Sequence, residues 1–244
     1  DLCFSKEKEQ EKNNREIVEG SNKVLELKNV SFAYGQKKVI ENLSLSIARG
    51  EKLAIFGANG SGKSTLVKLL LGLLPPDKGR ICYCNSEVGV IFQDFGKYSF
   101  SVKENISLNR AFSDKDIFDV LFYVEGNNML TGLPKGIYTN IGVEYYNDGV
   151  DFSGGQWQKL ALARGMIGEN MLYILDEPFS ALDALAEKVQ YDLLLRNYRS
   201  ESFVIVSHQM GLANMVDKVI LLENGKIIAY GEHNQLMNKC KKYR

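Results

Sequence analysis

The sequence is poor in metal-binding residues, in net charge and in long apolar runs. It has four cysteines and two histidines and no C-x-x-C pair, which argues against a zinc site. The 30 basic residues balance 30 acidic ones, so the electrostatic footprint of a nucleic-acid-binding protein is missing. No apolar run approaches the ~20 residues of a transmembrane helix. We therefore expect no zinc, no nucleic-acid partner and no membrane crossing by this chain itself.

The rest of the composition is that of an ordinary globular protein. Hydrophobic residues make up 45% and charged residues 25% of 244 residues, which suffices for one large α/β domain or two small ones. Residues 5–21 differ, since they are rich in Lys, Glu, Gln and Asn, and this predicts a solvated linker or a frayed helix. The first residue is Asp rather than Met, so we interpret the chain as a piece of a longer polypeptide.

One glycine-rich stretch connects an apolar strand to an apolar helix. Residues 57–65 fit the pattern G-x-x-x-x-G-K-[ST]. Such a turn points several backbone N–H groups at one spot, where the helix dipole also favours negative charge. Lys63 can reach the β- and γ-phosphates of a nucleotide, and the Ser64 hydroxyl can bind Mg²⁺. A chance Gly/Ser loop is the alternative. The sequence predicts a nucleoside triphosphate site at Gly57, Asn59, Gly60, Ser61, Gly62, Lys63, Ser64 and Thr65.

A fully apolar stretch, residues 171–175, ends at two adjacent carboxylates. A buried strand that delivers both beside the phosphate loop supplies one carboxylate to hold Mg²⁺ and one to act on water. Asp176 suits the metal, and Glu177 can orient and polarise the attacking water as a general base. The alternative is a helix-capping pair without a chemical role.

A second anion-binding helix end follows later in the chain. The helix predicted over residues 154–167 opens on Ser153, Gly154, Gly155 and Gln156. A predicted helical region between this end and the phosphate loop holds the two apart within one chain. A two-fold dimer would bring such a helix end to a phosphate loop, because the serine and glycines of each chain can then contact the nucleotide bound by the other.

The periodicity of the chain predicts the fold class. Residues 24–32 and 39–47 alternate apolar and polar side chains, which indicates an antiparallel β region before the phosphate loop. Apolar strands then alternate with helices, which is typical of a parallel sheet covered on both faces. Between about residues 95 and 165 the patterns are longer and helical. The predicted fold is α/β: a P-loop NTPase core with a parallel sheet, an N-terminal antiparallel β subdomain and an inserted α-helical subdomain.

Taken in order, these motifs resemble those of ABC transporter nucleotide-binding domains over about residues 23–239. The resemblance rests on residues 57–65, 153–156, 176–177 and 180–183, together with Gln93 and His208. It implies ATP as the nucleotide, Mg²⁺ as its metal, and two partners. The partners are a second nucleotide-binding domain, in an ATP-dependent head-to-tail dimer, and the transmembrane domain of the same transporter.

The resemblance also implies roles for single residues. Tyr34 resembles the aromatic that stacks on adenine, and Gln93 the glutamine that senses Mg²⁺ and water while touching the membrane domain. His208 resembles the switch histidine that bonds the γ-phosphate, and Asp183 the loop acid that crosses the dimer interface. The alternatives are that Tyr34 is an ordinary turn aromatic, Gln93 a surface residue and His208 a core histidine. The expected catalytic residues are Lys63, Gln93, Glu177 and His208, and the expected Mg²⁺ ligands are Ser64, Gln93 and Asp176.

Several stretches resemble the exporter branch, in which a membrane domain precedes the ATPase in one chain. They are residues 101–106, 133–142 and 149–158, the last of which is most similar to bacterial peptide and bacteriocin exporters. The resemblance implies a linker from a preceding membrane domain at residues 1–22 and the nucleotide-binding domain at 23–244. It places the protein at the cytoplasmic face of the bacterial plasma membrane. The sequence departs from the pattern at Phe152, where Leu is usual, and in a short segment between Gly79 and Gln93.

Other ABC-type proteins are the alternatives. A free-standing ATPase subunit of an importer carries the same motifs, but the linker-like start and the missing Met favour the exporter. An ABC ATPase that acts on DNA would show a coiled-coil interruption between the phosphate loop and the Ser-Gly-Gly-Gln stretch, and none is present. A tandem translation factor would carry the motif set twice, whereas this chain has it once.

Overall fold

The computed structural model describes residues 15–17, 22–83, 87–180 and 182–243. Their strands form two sheets, and the first has the order β1-β5-β2-β3. Strands β2 (Lys23–Tyr34) and β3 (Lys37–Ala48) are antiparallel, and β2 also pairs antiparallel with β5 (Lys78–Tyr83). Strand β1 (Arg15–Ile17) pairs parallel with β5. Thus part of the segment interpreted as a linker is a strand, while residues 1–14 and 18–21 lie outside the described residues.

The second sheet has the order β10-β9-β4-β8-β7-β6. Neighbouring strands are parallel from β9 to β6, as the apolar runs predict. Strands β9 and β10 instead form an antiparallel hairpin, since Asn224 and Gly225 both have positive φ in the turn between them. The strands are β4 (Lys52–Phe56), β6 (Val88–Ile91), β7 (Leu172–Asp176), β8 (Ser202–Val206), β9 (Lys218–Glu223) and β10 (Lys226–Gly231).

Hydrogen-bonding side chains define where most of the helices begin. Ser101, Ser113 and Ser153 each form a capping box at a helix N-terminus, and Asp183 caps a fourth helix. The α-helices are α1 (Lys63–Leu70), α2 (Val102–Ser107), α3 (Asp114–Tyr123), α4 (Gly154–Met166), α5 (Ala184–Asn197) and α6 (His233–Lys239). Short 3-10 helices lie at Asn127–Leu130, Gly136–Tyr138 and Met210–Asn214.

Two apolar clusters hold these layers together. One joins the inner face of the β2–β3 sheet to α1 and the adjacent face of the second sheet. The other joins the opposite face of that sheet to α2, α3, α4 and α5. Helix α4 packs very close to β6, because a Cβ on Gly165 would lie 2.5 Å from the Val90 carbonyl oxygen. The predicted α/β class is confirmed, with a parallel sheet at its centre.

None of the helices in the described residues is both long enough and apolar enough to span a membrane.

Candidate nucleotide-binding site

The phosphate loop lies between β4 and α1, at the carboxyl edge of the second sheet. Lys63 is the first residue of α1 and is buried. Its Nζ donates to the carbonyl oxygens of Gly57, at 2.8 Å, and Ala58, at 3.3 Å. Burial lowers the pKa of Lys63, while the charges of Glu177 and Asp176 act in the opposite direction. The ammonium group is therefore held inside the loop beside the two carboxylates.

The backbone of this loop requires glycine at two positions. Gly62, the residue before α1, has φ +106°, a conformation that L side chains rarely adopt. At Gly57 a Cβ would lie 2.4 Å from the Leu222 carbonyl oxygen, so the loop packs directly on β9. The Ser61 hydroxyl is buried and has no hydrogen-bond partner among the described residues. Backbone packing thus fixes the conformation of the loop, and the Ser61 hydroxyl inside it has no partner among the described residues.

Two carboxylates lie at the end of β7, as the sequence predicts. Asp176 is buried, and its pKa is raised, first by burial and then by the charge of Glu177, although Lys63 opposes the rise. Glu177 has φ +49°, which is unfavourable for a residue with a side chain. Its backbone N–H donates to the Val206 carbonyl oxygen at 3.0 Å. Oε1 of Glu177 lies 2.5 Å from Nε2 of His208.

The side chains that the structure describes do not form a metal cage by themselves. No group of three or more His, Cys, Asp or Glu residues that could hold a metal occurs in the described part of the chain. Mg²⁺ is usually bound through one or two carboxylates together with substrate phosphates and waters. The oxygen donors of Asp176 and Ser64 fit this mode, and a cation beside Asp176 would offset the cost of burying its charge.

Many of the predicted nucleotide residues line one open cleft of about 770 Å³, whereas Gly57, Ser61 and Asp176 are not among its lining residues. The phosphate loop forms its floor, and Tyr34, Gln93, Glu177 and His208 all line it. Tyr34 is half-exposed and packs edge-on against Phe32. Sequence reasoning missed further lining residues: Lys37, Lys38, Val39, Glu41, Asn224 and Gly225. The Asn224–Gly225 pair is a sequence pattern that predicts a hairpin turn. The approach of this turn to β3, however, depends on a long-range hydrogen bond from the Glu41 N–H to the Gly225 carbonyl.

The Ser153–Gln156 end of α4 does not line this cleft. The Ser153 hydroxyl accepts the Gln156 N–H at 3.3 Å, and Gln156 Oε1 accepts the Ser153 N–H at 2.8 Å. A Cβ on Gly154 or Gly155 would meet nothing within 4 Å, so this helix end is open to solvent. The second predicted anion-binding end is therefore open and lies outside the cleft that the chain's own phosphate loop lines.

Asp183 is the N-cap of α5 and does not line the cleft either. Its Oδ1 accepts the N–H groups of Leu185 and Ala186, both at 3.0 Å. Ala181, in the same predicted loop motif, lies outside the described residues. The other histidine, His233, begins α6 and contacts the Tyr243 hydroxyl through Nδ1 at 2.9 Å, and the N-cap of this helix is Glu232.

Comparison with known proteins finds ATP-binding proteins of transport systems among the relatives. The subtilin transport ATP-binding protein SpaT of Bacillus subtilis is 35% identical over 208 residues, which are 79% of this chain and 34% of that protein. The nisin transport ATP-binding protein NisT of Lactococcus lactis is 35% identical over 206 residues, 78% of this chain and 34% of that protein. The chain spans about a third of the length of these curated relatives.

A solved structure of a bacterial Atm1-family ABC exporter with ATP bound shares the fold. The TM-score is 0.81 at 24% identity, over 95% of this chain and 42% of that chain. The family model described as "ABC transporter" matches residues 40–180, which is more than half of the chain and includes the phosphate loop, the Ser153–Gln156 end and the Asp176–Glu177 pair. The resemblance stated from the motifs is confirmed: this chain belongs to the ABC transporter family.

Proposed function

We propose that this chain binds ATP with Mg²⁺, hydrolyses it, and is the ATPase domain of an exporter at the cytoplasmic face of the bacterial plasma membrane. The observation that carries the proposal is the convergence of Lys63, Asp176, Glu177 and His208 at one edge of the sheet. These residues meet where the chain also presents a phosphate loop. Relatives named for subtilin, nisin and lacticin transport support a peptide as the exported substrate.

The residues in the cleft divide the work of phosphoryl transfer. Lys63 and the loop amides stabilise negative charge on the γ-phosphoryl group as its bond to the β-phosphate oxygen breaks. Glu177 orients the attacking water and accepts its proton, and His208 donates a hydrogen bond to the γ-phosphate. Ser64, Asp176 and Gln93 would hold Mg²⁺, which supplies charge neutralisation on the phosphates when bound.

A second nucleotide-binding domain completes each site in this proposal. The open N-terminus of α4 presents the backbone N–H groups of Gly154 and Gly155 and the Ser153 hydroxyl to solvent. Free amide groups at a helix N-terminus bind anions, and here no phosphate loop of the same chain reaches them. In a two-fold, head-to-tail pair each α4 end would face the γ-phosphate held by the partner, and Asp183 would lie at the shared interface.

A transmembrane domain is the second proposed partner. A groove of about 410 Å³ runs along β6 and α4 beside the segment that follows Gln93. Apolar side chains such as Phe92 and Leu108 line this groove and are exposed. An exposed apolar groove often marks a surface where a partner binds. Some relatives are named ATP-binding/permease proteins. We infer that a loop between transmembrane helices docks in this groove.

ATP hydrolysis by Lys63→Ala tests the proposal. Without the ammonium group the charge-assisted contacts to the β- and γ-phosphates are lost, so hydrolysis should be abolished and ATP binding weakened. Lys239→Ala, at an exposed helical position that does not line the cleft, is the matched control and should hydrolyse ATP like the wild type. Wild-type turnover in the Lys63 variant would refute the assignment of the phosphate loop.

A further inference from the structure

A buried carboxylate lies directly behind the cleft, and the scheme above does not use it. Glu187, in the first turn of α5, is 4% exposed and does not line the cleft. The Ser207 hydroxyl, itself 1% exposed, donates to Glu187 Oε1 at 3.1 Å. Burying a carboxylate costs free energy unless the carboxylate is hydrogen-bonded. The presence of one at this position therefore indicates that it has a function.

Ser207 immediately precedes His208, and its hydroxyl holds the backbone on both sides of the histidine. The same oxygen accepts the backbone N–H of Gln209 at 3.0 Å. A serine hydroxyl that bonds the N–H two residues onwards fixes a tight turn around the residue between them. Glu187 is the acceptor that orients this hydroxyl, so the carboxylate stabilises the turn that presents His208 to Glu177.

Helix α5 connects the same carboxylate to the loop that precedes it. The Glu187 N–H donates to the Asp183 carbonyl at 2.9 Å, so Glu187 stands one helical turn after the N-cap. Burial raises the pKa of Glu187, and the charge of Glu177 adds to the rise, whereas the hydrogen bond from Ser207 and the charge of His208 oppose it. Glu187 and Ser207 therefore connect Asp183 to His208 through hydrogen bonds, so a movement of Asp183 would be transmitted to His208.

We propose that Glu187 is a positioning residue for ATP hydrolysis, which through Ser207 holds His208 in the orientation that reaches Glu177 and the γ-phosphate. This inference rests on the proposed function and adds to it a connection between the loop at Asp183 and the histidine. Glu187 touches neither the cleft nor the reacting atoms. Its contribution is to the geometry of His208, and hence to the rate of the chemical step rather than to ATP binding.

The test is the steady-state hydrolysis of Glu187 variants. Glu187→Ala should lower kcat by about 10-fold, the worth of one hydrogen bond to a charged group, with an unchanged KM for ATP. Glu187→Gln keeps an acceptor oxygen for Ser207 and should restore most of kcat. Asp192→Ala, on the exposed face of the same helix where Asp192 pairs with Arg196, is the matched control and should keep wild-type values.

A double-mutant cycle distinguishes positioning from general stability. In a His208→Ala background, Glu187→Ala should cause no further loss of kcat, because its effect acts through the histidine. A further 10-fold loss in that background would overturn the proposal, and so would wild-type kcat in Glu187→Ala. If Glu187→Ala does not fold, Ser207→Ala removes the same hydrogen bond and takes its place in every comparison. If Lys63→Ala loses hydrolysis while Glu187→Ala keeps the kcat of the wild type, this inference alone is refuted. If Lys63→Ala still hydrolyses ATP, the proposed function is refuted.

Discussion

The imidazole Nε2 of His208 lies 2.5 Å from Oε1 of Glu177, at the ends of two neighbouring parallel strands, β8 and β7. The Glu177 side chain is largely buried, whereas His208 is about half-exposed at 47%. The proposed base and the proposed γ-phosphate donor are therefore in contact with each other.

Replacing the base should separate binding from hydrolysis. Glu177→Gln keeps the shape of the side chain but cannot accept a proton, so hydrolysis should fall by the ~10²–10⁴-fold typical of losing a general base. Lys63, Ser64 and Asp176 still bind the nucleotide, and one negative charge near the γ-phosphate is removed. The variant should therefore accumulate as an ATP-bound dimer on size-exclusion chromatography, while the wild type runs mainly as a monomer. A monomeric variant at saturating ATP and Mg²⁺ would contradict the role of Glu177.

Loss of the aromatic ring at the cleft should weaken binding without slowing the chemical step. Stacking of a base on an aromatic side chain is worth ~1–3 kcal/mol, so Tyr34→Ala should raise KM for ATP and leave kcat unchanged. Tyr145 is also exposed, at 71%, but does not line the cleft, which makes Tyr145→Ala the matched control. Equal KM values in the Tyr34 variant and the wild type would show that the ring does not contact the base.

Hydrolysis should depend on the concentration of the chain. If each site needs the α4 end of a second copy, the rate of the isolated chain should rise faster than linearly with its concentration. Specific activity that does not change on dilution would speak against a shared site.

Mixing two inactive variants tests the shared site directly. Lys63→Ala disables the phosphate loop, and Gly155→Asp places a negative charge at the α4 end, where a new Cβ meets nothing within 4 Å. In a head-to-tail pair of one copy of each, one site is intact and the other carries both changes. The mixture should therefore recover activity that neither variant has alone, and no recovery would exclude this arrangement.

A half-buried guanidinium between α4 and the segment after Gln93 should matter for stability. Arg164 donates through Nε to the Asn105 carbonyl at 2.8 Å, and through its two terminal nitrogens to the Gly96 carbonyl at 2.8 Å and Asn105 Oδ1 at 3.0 Å. Asn105 is fully buried. Arg164→Met leaves these acceptors unsatisfied, so the free energy of unfolding should fall by about 2–3 kcal/mol in urea titrations.

Arg196→Met is the control for this measurement. Arg196 pairs with Asp192 on the exposed face of α5, and surface ion pairs contribute less than about 1 kcal/mol. Equal stabilities of the two variants would show that the Arg164 contacts are not needed for the packing of α4.

The sequence by itself determined the phosphate loop, the carboxylate pair at Asp176 and Glu177, the α4 end and the fold class. These features are contiguous, so a pattern of neighbouring residues is enough to predict the local geometry of each. Strand alternation likewise predicted β2 and β3, and an apolar run predicted β7, because a strand buried on both faces excludes polar residues. The family resemblance added roles for Tyr34, Gln93 and His208, which local patterns leave open.

Only the tertiary structure decided which of these elements meet. The strand order places β8 between β4 and β7, and this brings His208 to Glu177 and the phosphate loop to both. The contact from Glu187 to Ser207 and the approach of the Asn224–Gly225 turn to Glu41 have no local signal either. The physical reason is that such contacts depend on packing between segments far apart in the chain. Local hydrophobic periodicity states which face of an element is buried, but not which other element buries it.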